Sequence, residues 1–202
     1  MSKLVKKVST VQEVSIQPLK KATMTVRVKG LTPYLASKMD MLSVDNIERK
    51  KNGQMVVKDT RSEDQKTEDK IHYTPDHKVG IPGAAFMKGM VEMAPYIEGL
   101  DKKKVMGSVR ILQDIIPIKF KKQNTHETWG TNAGITKAPK IIRRPQFSDW
   151  ECELDIMFNA ANITAEQVVN LVNWAGFQSG VGGWRAQKGG SFGSYEVVKS
   201  GK

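Results

Sequence analysis

With a single cysteine among 202 residues, the chain cannot form an internal disulfide. Cys152 sits in an alternating apolar stretch, where it is expected to pack as a small hydrophobe, and a reducing, cytoplasmic compartment fits that usage. No run of 18 apolar residues is present, so no membrane-spanning helix is expected. The opening MSKLVKKVST is basic but lacks the apolar core of a signal peptide. Also missing are an HExxH pair, a nucleophile elbow and a GK[ST] phosphate loop. His72, His77 and His126 do not combine with cysteine or carboxylate at a metal-ligand spacing, so neither metal nor cofactor is expected. Acidic residues are scarce too: 21 against 32 lysines and arginines, for a net charge of +11.

A soluble chain with that excess has polyanions as natural partners, provided the charge is concentrated. It is. Residues 119–144 hold Lys119, Lys121, Lys122, Lys137, Lys140, Arg143 and Arg144 against Glu127 alone, seven cations less one acid, or +6 of the total. The segment also carries Asn124, His126, Trp129, Gly130, Asn132 and Gly134, a polar, glycine-punctuated and aperiodic mixture. It reads as a basic loop or hairpin over 119–147, with Trp129 available to stack on a base. Residues 43–72 differ, with seven acids balancing seven cations around Asn52-Gly53. They read as a mobile insertion, with a hairpin flanking that turn. A polar N-terminal tail over 1–21 precedes the first strand.

Alternation marks Ala22–Gly30 as a half-buried strand, with Met24, Val26 and Val28 on one face. Pro82 opens a helix through AAFMKGMVEMA, whose Phe86, Met90 and Met93 share a face, and Pro95 and Gly99 end it. Residues 109–120 are β-rich and read as one strand bent near Pro117. Trp150, Cys152, Leu154, Ile156 and Phe158 alternate with polar residues in the clearest strand of the chain. Thr164 and Gln167 then form a capping box for a helix that Gly176 is expected to terminate, before a last strand over 192–199. The order is βαββαβ, an α+β ferredoxin-like core with a four-stranded antiparallel sheet and two helices on one face. The outward side of the third strand, Glu151, Glu153 and Asp155, would repel phosphate, so a nucleic-acid grip must come from loops and edges.

One such loop is GFQSGVGGWRAQKGGSFG, residues 176–193, with seven glycines and the two cations Arg185 and Lys188. Exposed amides of such a loop can nest an anion, Arg185 can fork onto phosphate, and Trp184 can stack on a base. Phe177 and Phe192 are expected to anchor the loop ends in the core. A flexible connector, a solvated basic segment and a packed Trp129 are the plainer readings of the same features.

Two of these segments resemble the RAMP superfamily, ferredoxin-like proteins that include RNA-binding backbone subunits of CRISPR effector complexes. GIPGAAFMKG, residues 80–89, is similar to the family's IPGSSLKG-type segment entering the first helix, with Ala84 and Ala85 in place of the usual serines. Residues 180–193 are similar to its glycine-rich loop before the last strand. The resemblance implies a subunit, or a stand-alone relative, that stacks as a homo-oligomer or filament along single-stranded RNA or DNA, alone or with other effector-type subunits. It also implies that Lys88 and the loop around Gly182, Gly183, Arg185 and Lys188 face the strand. With the basic segment's Lys121, Lys122, Trp129, Lys137, Lys140, Arg143 and Arg144, and with Trp184, these complete the candidate nucleic-acid site. Two other functions compete. A RAMP-type endoribonuclease would use a histidine, or Asp40 or Asp45 after the first strand, and a structural subunit would assemble without nucleic acid.

Overall fold

The computed structural model describes residues 19–131 and 139–198; most of the N-terminal tail, and Lys137, lie outside them. In chain order the elements are β1 Lys21–Gly30, β2 Tyr34–Leu35, α1 Met41–Lys51, α2 Glu63–Glu68, β3 His72–Tyr73, β4 Val79–Pro82, α3 Gly83–Met93 and α4 Lys102–Ser108. There follow β5 Val109–Ile111, β6 Ile115–Pro117, β7 Lys122–Thr131, β8 Pro139–Ser148, β9 Glu151–Asn159, α5 Ala165–Trp174 and β10 Tyr195–Val197. None of the described helices is long and apolar enough to cross a membrane.

The two strongest alternating segments become the centre of the main sheet. In the antiparallel β1–β9 ladder Met24 lies opposite Ile156, Val26 opposite Leu154 and Val28 opposite Cys152, all on the inner face. The strands run β10-β1-β9-β5, every neighbour antiparallel, which is the ferredoxin-like order expected from βαββαβ. α3 buries Phe86, Met90 and Met93 against this sheet, and α5 buries Val168, Leu171 and Val172 beside it. The capping box at Thr164 and Gln167 forms as the sequence predicts. On the outer face Arg27 pairs with Glu151, while Thr25 and Gln113 hold Asp155, so the acidic side of β9 is partly compensated. Cys152 is buried, and burial pushes its thiol well above the ordinary value.

Several local expectations are corrected. The strand expected over 109–120 breaks at Leu112–Asp114: β5 joins the main sheet and β6 joins a separate β3-β4-β6 sheet. Of the loop or hairpin expected over 119–147, the hairpin is the form observed: β7 pairs with β8, and β8 pairs with β2 on its other edge. Asn52 and Gly53 do not turn a hairpin; they end α1, with Gly53 at φ +67°. α5 is prolonged by a π-turn through Ser179, and the left-handed terminator is Gly180 (φ +67°), not Gly176. Gly176 is required for another reason, because a Cβ there would stand 2.1 Å from the Tyr195 carbonyl oxygen. Phe177 does not anchor the loop; it is 72% exposed.

An aromatic seam joins the hairpin to this core. Phe86 of α3 meets Tyr195 of β10 at 5.2 Å, Tyr195 meets Trp150 at 6.1 Å, and Trp150 meets Tyr34 of β2 at 6.2 Å. Tyr34 stacks on Phe147 of β8 at 6.0 Å, and Phe147 meets Phe120 at 4.9 Å. Trp150 is fully buried and still satisfies its indole N–H, which donates to the Thr32 carbonyl at 2.9 Å.

The insertion is held differently. α1 buries none of its residues, and an isolated eleven-residue helix is marginal in water. Its anchor is Arg61, whose guanidinium donates to Asp40 at 2.8 Å, to Asp59 at 2.8 Å, and to Asp69. Asp40 caps α1 by accepting from the Ser43 amide at 3.0 Å. Burial raises the Asp40 carboxyl, but hydrogen bonds from Ser43 and Arg61 outweigh it and hold the group at about 2. Hydrogen bonding to Arg61 likewise holds Asp59 at about 2.

Two outcomes follow from this packing. Gly176→Ala should cost about 3 kcal/mol in urea unfolding. Gly107→Ala, in α4 with nothing within 4 Å of the new methyl, should stabilise by about 0.5–1 kcal/mol. Because the folded-state values of Asp40 and Asp59 lie below the ordinary 3.8, the clamp is complete above about pH 4 and is lost as the pH falls toward 2. Amide exchange should show α1 losing protection in that window while β9 keeps its own.

Candidate nucleic-acid interface

Strand alternation divides the β7–β8 hairpin into two faces. The ladder runs from Lys122 opposite Ser148 to Thr131 opposite Pro139. On one face Glu127 lies opposite Arg143 and accepts from its Nε at 2.6 Å, with Trp129 and Ile141 the next pair along. On the other face His126 lies opposite Arg144, followed by Thr128 with Ile142 and Gly130 with Lys140.

The glycine-rich loop lies against this second face. Gly182, at φ +82°, sits where a Cβ would be 2.5 Å from the Leu35 carbonyl oxygen, and the Gly183 amide donates to that oxygen at 2.9 Å. A Cβ on Gly183 would stand 3.3 Å from Arg144 Cδ and Nε and 3.4 Å from Ser37. Arg144 Cζ lies 5.6 Å from the Trp184 ring centroid. His126 meets the same ring at 5.8 Å and Phe192 at 4.9 Å. The basic segment and the glycine-rich loop, remote in sequence, therefore share one surface.

The loop is not a nest of free amides. Those of Gly180, Val181, Gly183, Gly189, Gly190 and Gly193 donate to carbonyls within the fold, so its glycines chiefly permit close backbone packing. The polar capacity of the surface lies in side chains. Arg144 has no ion pair among the described residues, its Nη1 is buried without a hydrogen-bond partner, and His126 Nε2 is in the same condition. Burial pulls the Arg144 guanidinium below its ordinary value.

Beyond Arg144 a groove of about 490 Å³ runs between β8 and the insertion, lined by Ser37, Lys38, Lys66, Lys70, Lys140 and Arg143 among others. Lys70 donates to the Arg143 carbonyl at 2.5 Å. Burial, and then the positive charges of Arg144 and Lys140, lower its ammonium value. Asp40, Asp59 and Glu63 also line the groove, but the first two are committed to Arg61 and Glu63 to Lys66 at 2.8 Å.

Of the residues singled out from sequence, Arg144, Gly183 and Trp184 come together, with Gly182 behind them and Lys140 farther along the same hairpin face. Trp129, 74% exposed, and Arg143 project from the opposite face. Lys121 and Lys122 stand at the hairpin's base. Arg185 is bonded to Gln187, which bonds Glu92 of α3, and Lys188 is exposed beside them. Lys88 lines a separate cleft between α3 and α4 with Met87, Val91 and Met106. Sequence reading missed Ser37, Lys38, Lys70 and the role of His126. A hairpin was one reading of this segment, but without its register the pairing of His126 with Arg144 could not be foreseen. Asp40, the aspartate considered for cleavage, has both oxygens engaged as a cap and ion pair, and Asp45 lies on α1. No cluster of histidine, cysteine and carboxylate suited to a metal occurs among the described residues.

No protein-family model matches the chain, and neither does any curated protein. Solved structures do. A chain of the Type III-B Cmr-beta bound to cognate target RNA is 13% identical with a TM-score of 0.53, over 89% of this chain and 60% of that one. Cmr6 from Pyrococcus furiosus is 11% identical with a TM-score of 0.43, over 90% of this chain and 100% of that one. The chain thus spans about three-fifths of the Cmr-beta chain and shares its architecture. The likeness is one of fold, and the ferredoxin-like strand order expected from the sequence is present in this chain.

Proposed function

We propose that the protein is a non-enzymatic module that binds single-stranded nucleic acid, RNA in preference to DNA, along the groove between the hairpin and the insertion. The observation that carries this reading is the uncompensated, half-buried Arg144, which lines the groove with Lys70 and Lys140 and also approaches the partly exposed Trp184 ring. Removing a cation from water without a counter-charge is costly, and a phosphodiester backbone supplies that charge repeatedly. The preference for RNA rests on the fold shared with a chain whose recorded complex contains target RNA. The same reading takes Lys121, Lys122, Arg143, Arg185 and Lys188 as further contacts for the strand.

The same reading has copies, or related effector-type subunits, arranged side by side along the strand. Exposed apolar groups that do not line the groove support it: Trp129 on the far hairpin face, and Met39, Met41 and Met55 around α1.

Fluorescence anisotropy with a labelled RNA oligomer tests the groove. Affinity should fall about ten-fold or more between about 50 and 200 mM salt, because each neutralised phosphate releases counterions. The triple variant Lys70→Glu, Lys140→Glu, Arg144→Glu should lose binding by about two orders of magnitude and flatten the salt slope, with Lys88→Glu close to the unmodified protein. Unchanged binding by the triple variant would sink the assignment, and assembly indifferent to nuclease and salt would point to a structural subunit.

A further inference from the structure

Trp184 is held in a conformation that its side chain does not favour. Its φ is +46°, one of three positive values among described non-glycine residues, and the ring remains 36% exposed. The surrounding loop maintains this state. The Phe192 amide donates to the Trp184 carbonyl at 3.2 Å, and Gly190 lies so close that a Cβ would stand 1.8 Å from that oxygen. A large ring kept partly in solvent by a strained backbone requires a compensating use. Beside it are two side-chain nitrogens that are buried without a partner among the described residues, Arg144 Nη1 and His126 Nε2. They belong to cross-strand neighbours whose side chains both approach the Trp184 ring.

We propose that Trp184, Arg144 and His126 form a seat for one nucleotide of the strand, with the base stacked on the exposed part of the Trp184 ring and its phosphate taken by Arg144 Nη1. His126 Nε2 hydrogen-bonds the same nucleotide. The proposal rests on the nucleic-acid reading above and adds to it a fixed register, because the groove alone would let a strand slide. An indole face accepts any base, so the seat selects an unstacked nucleotide and not a sequence. A duplex, whose bases are stacked inward, is excluded from it.

The test uses the full-length protein, a homopolymeric uridine RNA oligomer and its counterpart with abasic residues at every position. The intact oligomer should bind about ten-fold or more tightly than the abasic one, since stacking on one ring is worth roughly that factor. Trp184→Ala should erase the difference while leaving the salt slope unchanged, and Trp184→Phe should retain most of it. Arg144→Lys should weaken both oligomers, because an ammonium lacks the guanidinium's fork, yet keep the salt slope. The abasic comparison on unmodified protein guards against variants that fail to fold. Equal binding of the two oligomers by unmodified protein, with Lys70→Glu and Lys140→Glu still harmful, would overturn the seat and leave the groove standing. Salt-insensitive binding of both would overturn the groove as well.

Discussion

The aromatic seam from Phe86 through Tyr195, Trp150, Tyr34 and Phe147 is the constraint on which the rest of the molecule depends. A polar hairpin of two ten-residue strands has little to bury on its own, and an isolated hairpin is marginal in water. Phe147 gives β8 a foothold, Tyr34 and Leu35 of β2 pair with that strand, and Trp150 locks both to the main sheet. Full burial of Trp150 needs its indole N–H satisfied, and Thr32 does so from the short link between β1 and β2. One side chain therefore fixes the spacing between the sheet and the hairpin. Arg144, three residues before Phe147, inherits its position from that lock.

Against this rigid frame the insertion is a separate kind of structure. Its helix has no core, and its geometry comes from one arginine shared among three aspartates. Such a clamp is partly solvated, so its worth depends on pH and salt in a way the core does not. One wall of the groove is thus set by packing and the other by electrostatics.

What the sequence made legible follows the same division. β1, β9, α3 and α5 were readable because their apolar periodicity is strong, and at α5 the Thr164–Gln167 box marks the start. The strand order then followed from the order of elements. α1 was hidden because a helix that buries nothing leaves no apolar stripe; only the capping Asp40 and the basic Arg49, Lys50 and Lys51 near its end marked it. The 119–147 segment was legible only as loop or hairpin for a related reason, since β7 pairs through cross-strand polar residues, and Gly176 was misread because its tightness arises from Tyr195 of β10. The convergence of the two basic and glycine-rich segments was foreseeable from composition, whereas the contribution of Lys70 from the insertion was not.

The hairpin's alternation has a genetic corollary. His126, Arg144 and Lys140 point to one side only because the two strands are paired in a single register. Deleting one residue within β8, between Lys140 and Arg144, would leave the composition and charge almost untouched. It would force the strands either to re-pair or to bulge. In a re-paired hairpin Arg143 or Pro145 would oppose His126 in place of Arg144. Length changes within these paired strands should therefore be tolerated in pairs of residues and not singly, a footprint that natural variants of this chain would carry.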